Sequence, residues 1–89
     1  MAKPDDLNAS AIKYFGKEKK LMPYYIVNKK KDEHNLNEVH QTTCVWKPSP
    51  ENQVSLGYFA SNKEAVAYAK SIGWNADGCY HCCRDAHHG

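Results

Sequence analysis

Two short-spaced clusters of metal-ligating side chains constrain this chain more than any other feature: His40-x3-Cys44, and Cys79-x2-Cys82 with Cys83 directly after. Zinc takes four tetrahedral nitrogen and sulfur ligands, usually as two close pairs from separate segments. A fold that joins these pairs must bring the end of the chain back against its middle. The need for such a staple follows from size. A chain of 89 residues buries only about 60–65% of the surface its unfolded form exposes, and cores this small commonly lean on disulfides, a metal or a partner. Thiols bind metal as thiolates, so a zinc staple would couple folding to metal and to pH.

The residues leave two other readings of the cysteines open. Cys is among the residue types most often buried, so Cys44 and one of the vicinal pair could be plain core thiols. Disulfides are the third reading. The opening Met-Ala-Lys-Pro-Asp-Asp is followed by no apolar run, and no stretch approaches transmembrane length. This suggests a cytoplasmic protein, no membrane, and reduced thiols that meet metal before they meet each other. A Cys82–Cys83 ring would be strained. The expected ligands are therefore His40, Cys44, Cys79 and Cys82, with Cys83 as the alternative to Cys82 and zinc as the metal. His81 inside the knuckle is expected to be exposed and His34 solvated. His87 and His88 could cap the site, but a frayed chain end is the expectation for them.

Residues 1–21 read as a separate arm. Asn8 could cap a short helix over 8–15 that Gly16 ends, and Lys17–Lys20 resembles a solvated linker. The domain proper is expected over 22–89. Tyr24–Asn28 is aromatic and β-branched, a strand signature. The polar Lys29–Asn35 reads as a hairpin loop, and Leu36–His40 as the antiparallel return. Pro48, Pro50 and Asn52 mark an irregular loop. Val54–Phe59 is extended, with Val54, Leu56 and Tyr58 on one face. Ser61 and Glu64 form a capping box for a helix whose apolar stripe is Ala65, Val66, Ala69 and Ile72, stopped at Gly73. Ala76-Asp77-Gly78 reads as a turn into the second knuckle. The class predicted is α+β: a small antiparallel sheet, made of a hairpin and a further strand, with one main helix packed on it and two knuckles converging on one metal site.

Charge narrows the function. In 1–21, Lys3, Lys13, Lys17, Lys19 and Lys20 outnumber Asp5, Asp6 and Glu18, and this excess accounts for the whole net charge of +2. The remainder is balanced and carries a single Arg, unlike a surface built to grip DNA. Nucleic-acid binding would have to use Lys29, Lys30 and Lys31, helped by Tyr24, Tyr25, Trp46 or Trp74. Yet Asp32 and Glu33 follow those lysines at once, as on an ordinary solvated loop.

Residues 22–83 resemble a family of short bacterial proteins of uncharacterised activity. The match is carried by Met22–Asn28 (Met-Pro-Tyr-Tyr-Ile-Val-Asn), Glu38–Cys44, Leu56–Phe59, Ala65–Lys70 and Ala76–Cys83. More distantly, His-x3-Cys, an aromatic near a Ser-capped helix and a closing C-x2-C resemble the metal-binding domain of the Ada-type DNA-alkylation repair proteins. That resemblance implies a small sheet, one helix and a zinc held between two knuckles. Ada uses four Cys, one of them a methyl acceptor; here His40 stands in the first ligand position.

No Ser/His/Asp pattern, Gly-rich phosphate loop or carboxylate pair accompanies the knuckles. A catalytic zinc would keep an open position, whereas four candidate ligands suit a closed one. The function expected is a non-enzymatic domain stabilised by structural zinc, an accessory or interaction module whose partner is another protein. A nucleic-acid-binding module is the first alternative. A methyl acceptor, redox protein or metal sensor is the second, with Cys83 as a thiol beside the metal.

Overall fold

The computed structural model describes residues 12–15 and 20–88. Among these residues five strands occur, β1 (Ile12–Phe15), β2 (Lys20–Asn28), β3 (Asn37–Gln41), β4 (Gln53–Tyr58) and β5 (Ala76–Gly78), with one helix, α1 (Asn62–Ser71), between β4 and β5. Short 3-10 turns cover Pro50–Asn52 and Arg84–Ala86. The α+β class expected from the sequence is the one observed.

Strand β2 is central because its Tyr-Tyr-Ile-Val run tolerates burial on both faces; Tyr25, Ile26 and Val27 are all buried. It pairs antiparallel with β3, Val27 opposite Val39 and Ile26 opposite His40, and antiparallel with β4. Strand β1 pairs with Lys20–Pro23, ahead of those ladders. The short helix read over 8–15 is thus replaced at Ile12–Phe15 by a strand, consistent with the β-branched and aromatic content there. Its Asn8 cap and Gly16 stop, like most of the Lys17–Lys20 linker, lie outside the described residues. The boundary expected between residues 21 and 22 falls within β2.

Ala76–Gly78 differs most from the sequence reading. It is a strand, laid parallel to β3 with Glu38 opposite Asp77 and Val39 opposite Gly78, so the sheet is mixed. Asp-Gly has poor β propensity, but pairing here is imposed by the partner strand. A buried asparagine fixes the start of this pairing. Asn37 N–H donates to Asn75 C=O, Asn37 Nδ2 donates to the carbonyls of Asn28 and Lys29, and its Oδ1 accepts from Asn75 N–H.

Alternation sorts the sheet into two faces. Tyr25, Val27, Val39 and Leu56 point toward α1 and form the core with Ala65, Val66, Ala69, Cys83 and Ala86. Ile26, Glu38 and His40 have the opposite parity and occupy the other face. The helix is set by its caps. Ser61 Oγ accepts from Glu64 N–H, while the Glu64 carboxylate reaches back to Ala60 N–H. At its end Gly73, at φ +108°, and Trp74 bond back to Lys70 and Ala69 in a Schellman arrangement. Ile72, expected in the apolar stripe, is the C-cap residue and is 49% exposed. Tyr25 OH and Gln41 Nε2 both donate to Asn62 Oδ1, which ties the first turn of α1 to β2 and β3. Among the described residues no helix is long and apolar enough to cross a membrane.

Candidate metal centre

His40 leaves β3 on the sheet face opposite α1, and Cys44 follows after a tight turn in which Cys44 N–H donates to Gln41 C=O. The second cluster starts where β5 ends. Cys79 N–H donates to Val39 C=O, extending the parallel ladder by one step and placing Cys79 beside His40. Cys83 N–H then closes onto Cys79 C=O, and this turn brings Cys82 back over β3. The result is a group of one ring nitrogen from His40 and the sulfurs of Cys44, Cys79 and Cys82, all within 4.8 Å of one another. A tetrahedral zinc with sulfurs at about 2.3 Å has ligand–ligand edges of roughly 3.8 Å. The group therefore needs to contract by no more than about 1 Å to meet that geometry.

Cys82 and Cys83 part company despite being neighbours. Cys82 belongs to the four-residue group, whereas Cys83 is fully buried in the core beneath α1. Their sulfurs lie 3.8 Å apart. The tail is docked onto β5: Ala86 is buried, His87 Nδ1 lies 2.9 Å from Gly78 C=O and 3.2 Å from Asp77 Oδ2, and Asp77 Oδ1 accepts from His88 N–H. The fraying expected for His87 and His88 does not occur, and neither joins the sulfur group. Gly78 permits this docking. A Cβ there would stand 2.6 Å from Cys83 O and 2.9 Å from Ala86 C.

The electrostatics suit a cation. Burial pushes the Cys44 thiol up and Cys79 up to about 12. Cys82 is also raised, first by its contact with Cys83 and then by burial. Backbone N–H groups oppose this: His81 N–H donates to Cys79 Sγ at 3.4 Å and Gln41 N–H to Cys82 Sγ at 3.4 Å. Such donors stabilise thiolates. Burial pushes His40 down to about 4, helped by nearby Lys47, so its ring is neutral at pH 7, the ligating form. His40 is 1% exposed, and its Nδ1 has no hydrogen-bond partner among the described residues. A buried, unpaired polar atom costs about 1–3 kcal/mol, a cost that a metal ion at this position would remove.

His81 is exposed, as expected, but it stacks on Trp46 with ring centroids 4.3 Å apart and planes at 13°. Trp46 follows Cys44 by two residues and His81 follows Cys79 by two, so this stack joins the two knuckles across the site. His34 is exposed on the hairpin loop, near Glu33. Lys29, Lys30 and Lys31 begin that loop at the other end of the β2–β3 hairpin from the sulfur group. Tyr25, considered as a helper for them, is buried. Sequence reasoning passed over Asn37, Glu38 and Asp77; nothing local distinguishes a polar residue that registers strands from one on a solvated edge.

Comparison with known proteins gives no match: no family model, no curated protein and no solved structure is similar to this chain.

Proposed function

We propose that this protein is a non-enzymatic module in which His40, Cys44, Cys79 and Cys82 hold a structural zinc ion, and that it acts by binding another protein. The carrying observation is the convergence of one neutral, buried imidazole and three thiols within 4.8 Å, the imidazole retaining an unpaired nitrogen. Three sulfurs and one nitrogen form a donor set that soft, tetrahedral zinc favours over magnesium or calcium. When bound, zinc would cross-link β3, the turn after it and the turn after β5. Its binding energy, about 10–16 kcal/mol in small zinc domains, would count as folding energy.

The interaction role rests on what surrounds the knuckles. Val45 is 85% exposed, Trp46 61% and Tyr80 48%, and Trp46, His81 and Tyr80 form a continuous run of rings. Exposed aromatics of this kind favour a protein interface. The thiol-chemistry alternative has less support, because Cys83 is enclosed and a reactive thiol must be reached.

The test is metal analysis of protein purified without added zinc, with free-thiol counting, then thermal unfolding with and without a chelator. One zinc per chain and loss of the folded state on chelation are expected. A chelated protein that keeps its melting point overturns the structural role and transfers the weight to buried thiols.

A further inference from the structure

An imidazole can meet a metal through either nitrogen, and the two choices demand different surroundings. In His40 the surroundings are unequal. Nε2 lies 3.5 Å from Glu38 Oε1, while Nδ1 is buried without a partner among the described residues. Glu38 and His40 are two apart on β3, so strand alternation puts the carboxylate and the ring on the same face. Two of the three cysteines sit close to the main chain of β3. Cys82 Sγ lies 3.4 Å from the Gln41 amide, and Cys79 is held next to the main chain by its bond to Val39 C=O. Nδ1 is the ring nitrogen nearer the main chain, bonded to the ring carbon that carries Cβ; Nε2 is at the far end. The neighbouring acid is engaged elsewhere. Asp77, opposite Glu38 in the ladder, accepts from His88 N–H and faces His87.

Resting on the zinc reading above, we propose that His40 ligates through Nδ1 and that Glu38 is a positioning residue, its carboxylate holding the Nε2–H tautomer and the ring plane that aim Nδ1 at the metal. Metal-bound histidines usually give their second N–H to a carboxylate, carbonyl or water, and losing that group typically costs 10–100-fold in metal affinity. Glu38 is 30% exposed in its side chain, so its role does not depend on filling the core.

The experiment uses the full chain. With cadmium-113 in place of zinc, cadmium–nitrogen coupling should appear at His40 Nδ1, and long-range proton–nitrogen spectra should place the ring proton on Nε2. Glu38→Ala should weaken zinc binding about 10–100-fold in competition with a chromophoric chelator. Glu38→Gln keeps an oxygen that accepts from Nε2–H and should recover most of that loss, which a purely structural role for the charge would not allow. Coupling at Nε2, or a Glu38→Ala variant that binds zinc like the unaltered chain, overturns this proposal and leaves the metal site standing. An unaltered chain that binds no metal overturns both.

Discussion

Gly78→Ala tests the way the second knuckle is built, because the sign of its effect separates two physical outcomes. Gly78 does not adopt a positive φ, so alanine meets no backbone strain there. In open space the change should stabilise the protein by about 0.4–1 kcal/mol, through loss of freedom in the unfolded chain. The structure demands the opposite. The new Cβ would stand 2.6 Å from Cys83 O, 2.9 Å from Ala86 C and 3.0 Å from Ala86 Cβ. Two of these are backbone atoms in a turn tied by Cys83 N–H to Cys79 C=O and by Ala86 N–H to Cys83 C=O, so no side-chain rotation relieves the contact. Overpacking of this kind costs about 1–3 kcal/mol. For a domain of this size that is a fall in melting temperature of roughly 5–20 °C. The shift must be taken up by the segment that carries Cys79 and Cys82, so zinc affinity should fall with stability. Thermal unfolding of the metal-loaded protein, beside chelator competition, measures both. A Gly78→Ala protein that melts at or above the temperature of the unaltered one would refute the packing of the Arg84–Ala86 turn on β5.

Cys44→Ser, Cys79→Ser and Cys82→Ser should each abolish stoichiometric zinc and cooperative unfolding. Cys83→Ser should keep its zinc and lose about 1–3 kcal/mol for the buried hydroxyl, with metal content and melting temperature as the readout. Zinc binding should release close to three protons at pH 7: the thiols, raised by burial, begin protonated, whereas His40, lowered to about 4, begins neutral. Binding removes protons, so affinity falls as pH falls. His40 adds competition only near pH 4, and calorimetry in buffers of different ionisation enthalpy counts the protons. Deleting residues 1–21 removes β1 and the first residues of β2 but none of the core side chains seen from Tyr25 onward. Cooperative unfolding should persist, checked by near-ultraviolet circular dichroism and amide exchange.

Much of the local structure was legible because its causes are local. Ser61, Glu64 and Gly73 act on backbone groups within a few residues, so both ends of α1 could be placed from sequence. Tyr-Tyr-Ile-Val and the polar run after it marked β2 and its hairpin for the same reason. The helix read near the N-terminus went astray at Ile12–Phe15, where a β-branched and aromatic run pairs with Lys20–Pro23. Ile72 kept its helical spacing from Ala65 and Ala69, yet is the C-cap residue of α1 and stays exposed.

The candidate site divides along the same line. Ligand chemistry and spacing are properties of the chain itself, so His40, Cys44, Cys79 and Cys82 could be named before any fold was known. Which of two adjacent cysteines joins the candidate site, whether the last histidines fray or dock, and which ring nitrogen of His40 is left unpaired depend on a contact between segments far apart in sequence. That contact is the parallel pairing of β3 with β5, which the Ala-Asp-Gly stretch does not announce. It puts Cys79 beside His40, turns Cys83 into the core, and seats Ala86 and His87 against Gly78. Sequence determined what chemistry the site can perform; the register of two strands, an energy shared between distant segments, decided which atoms take part.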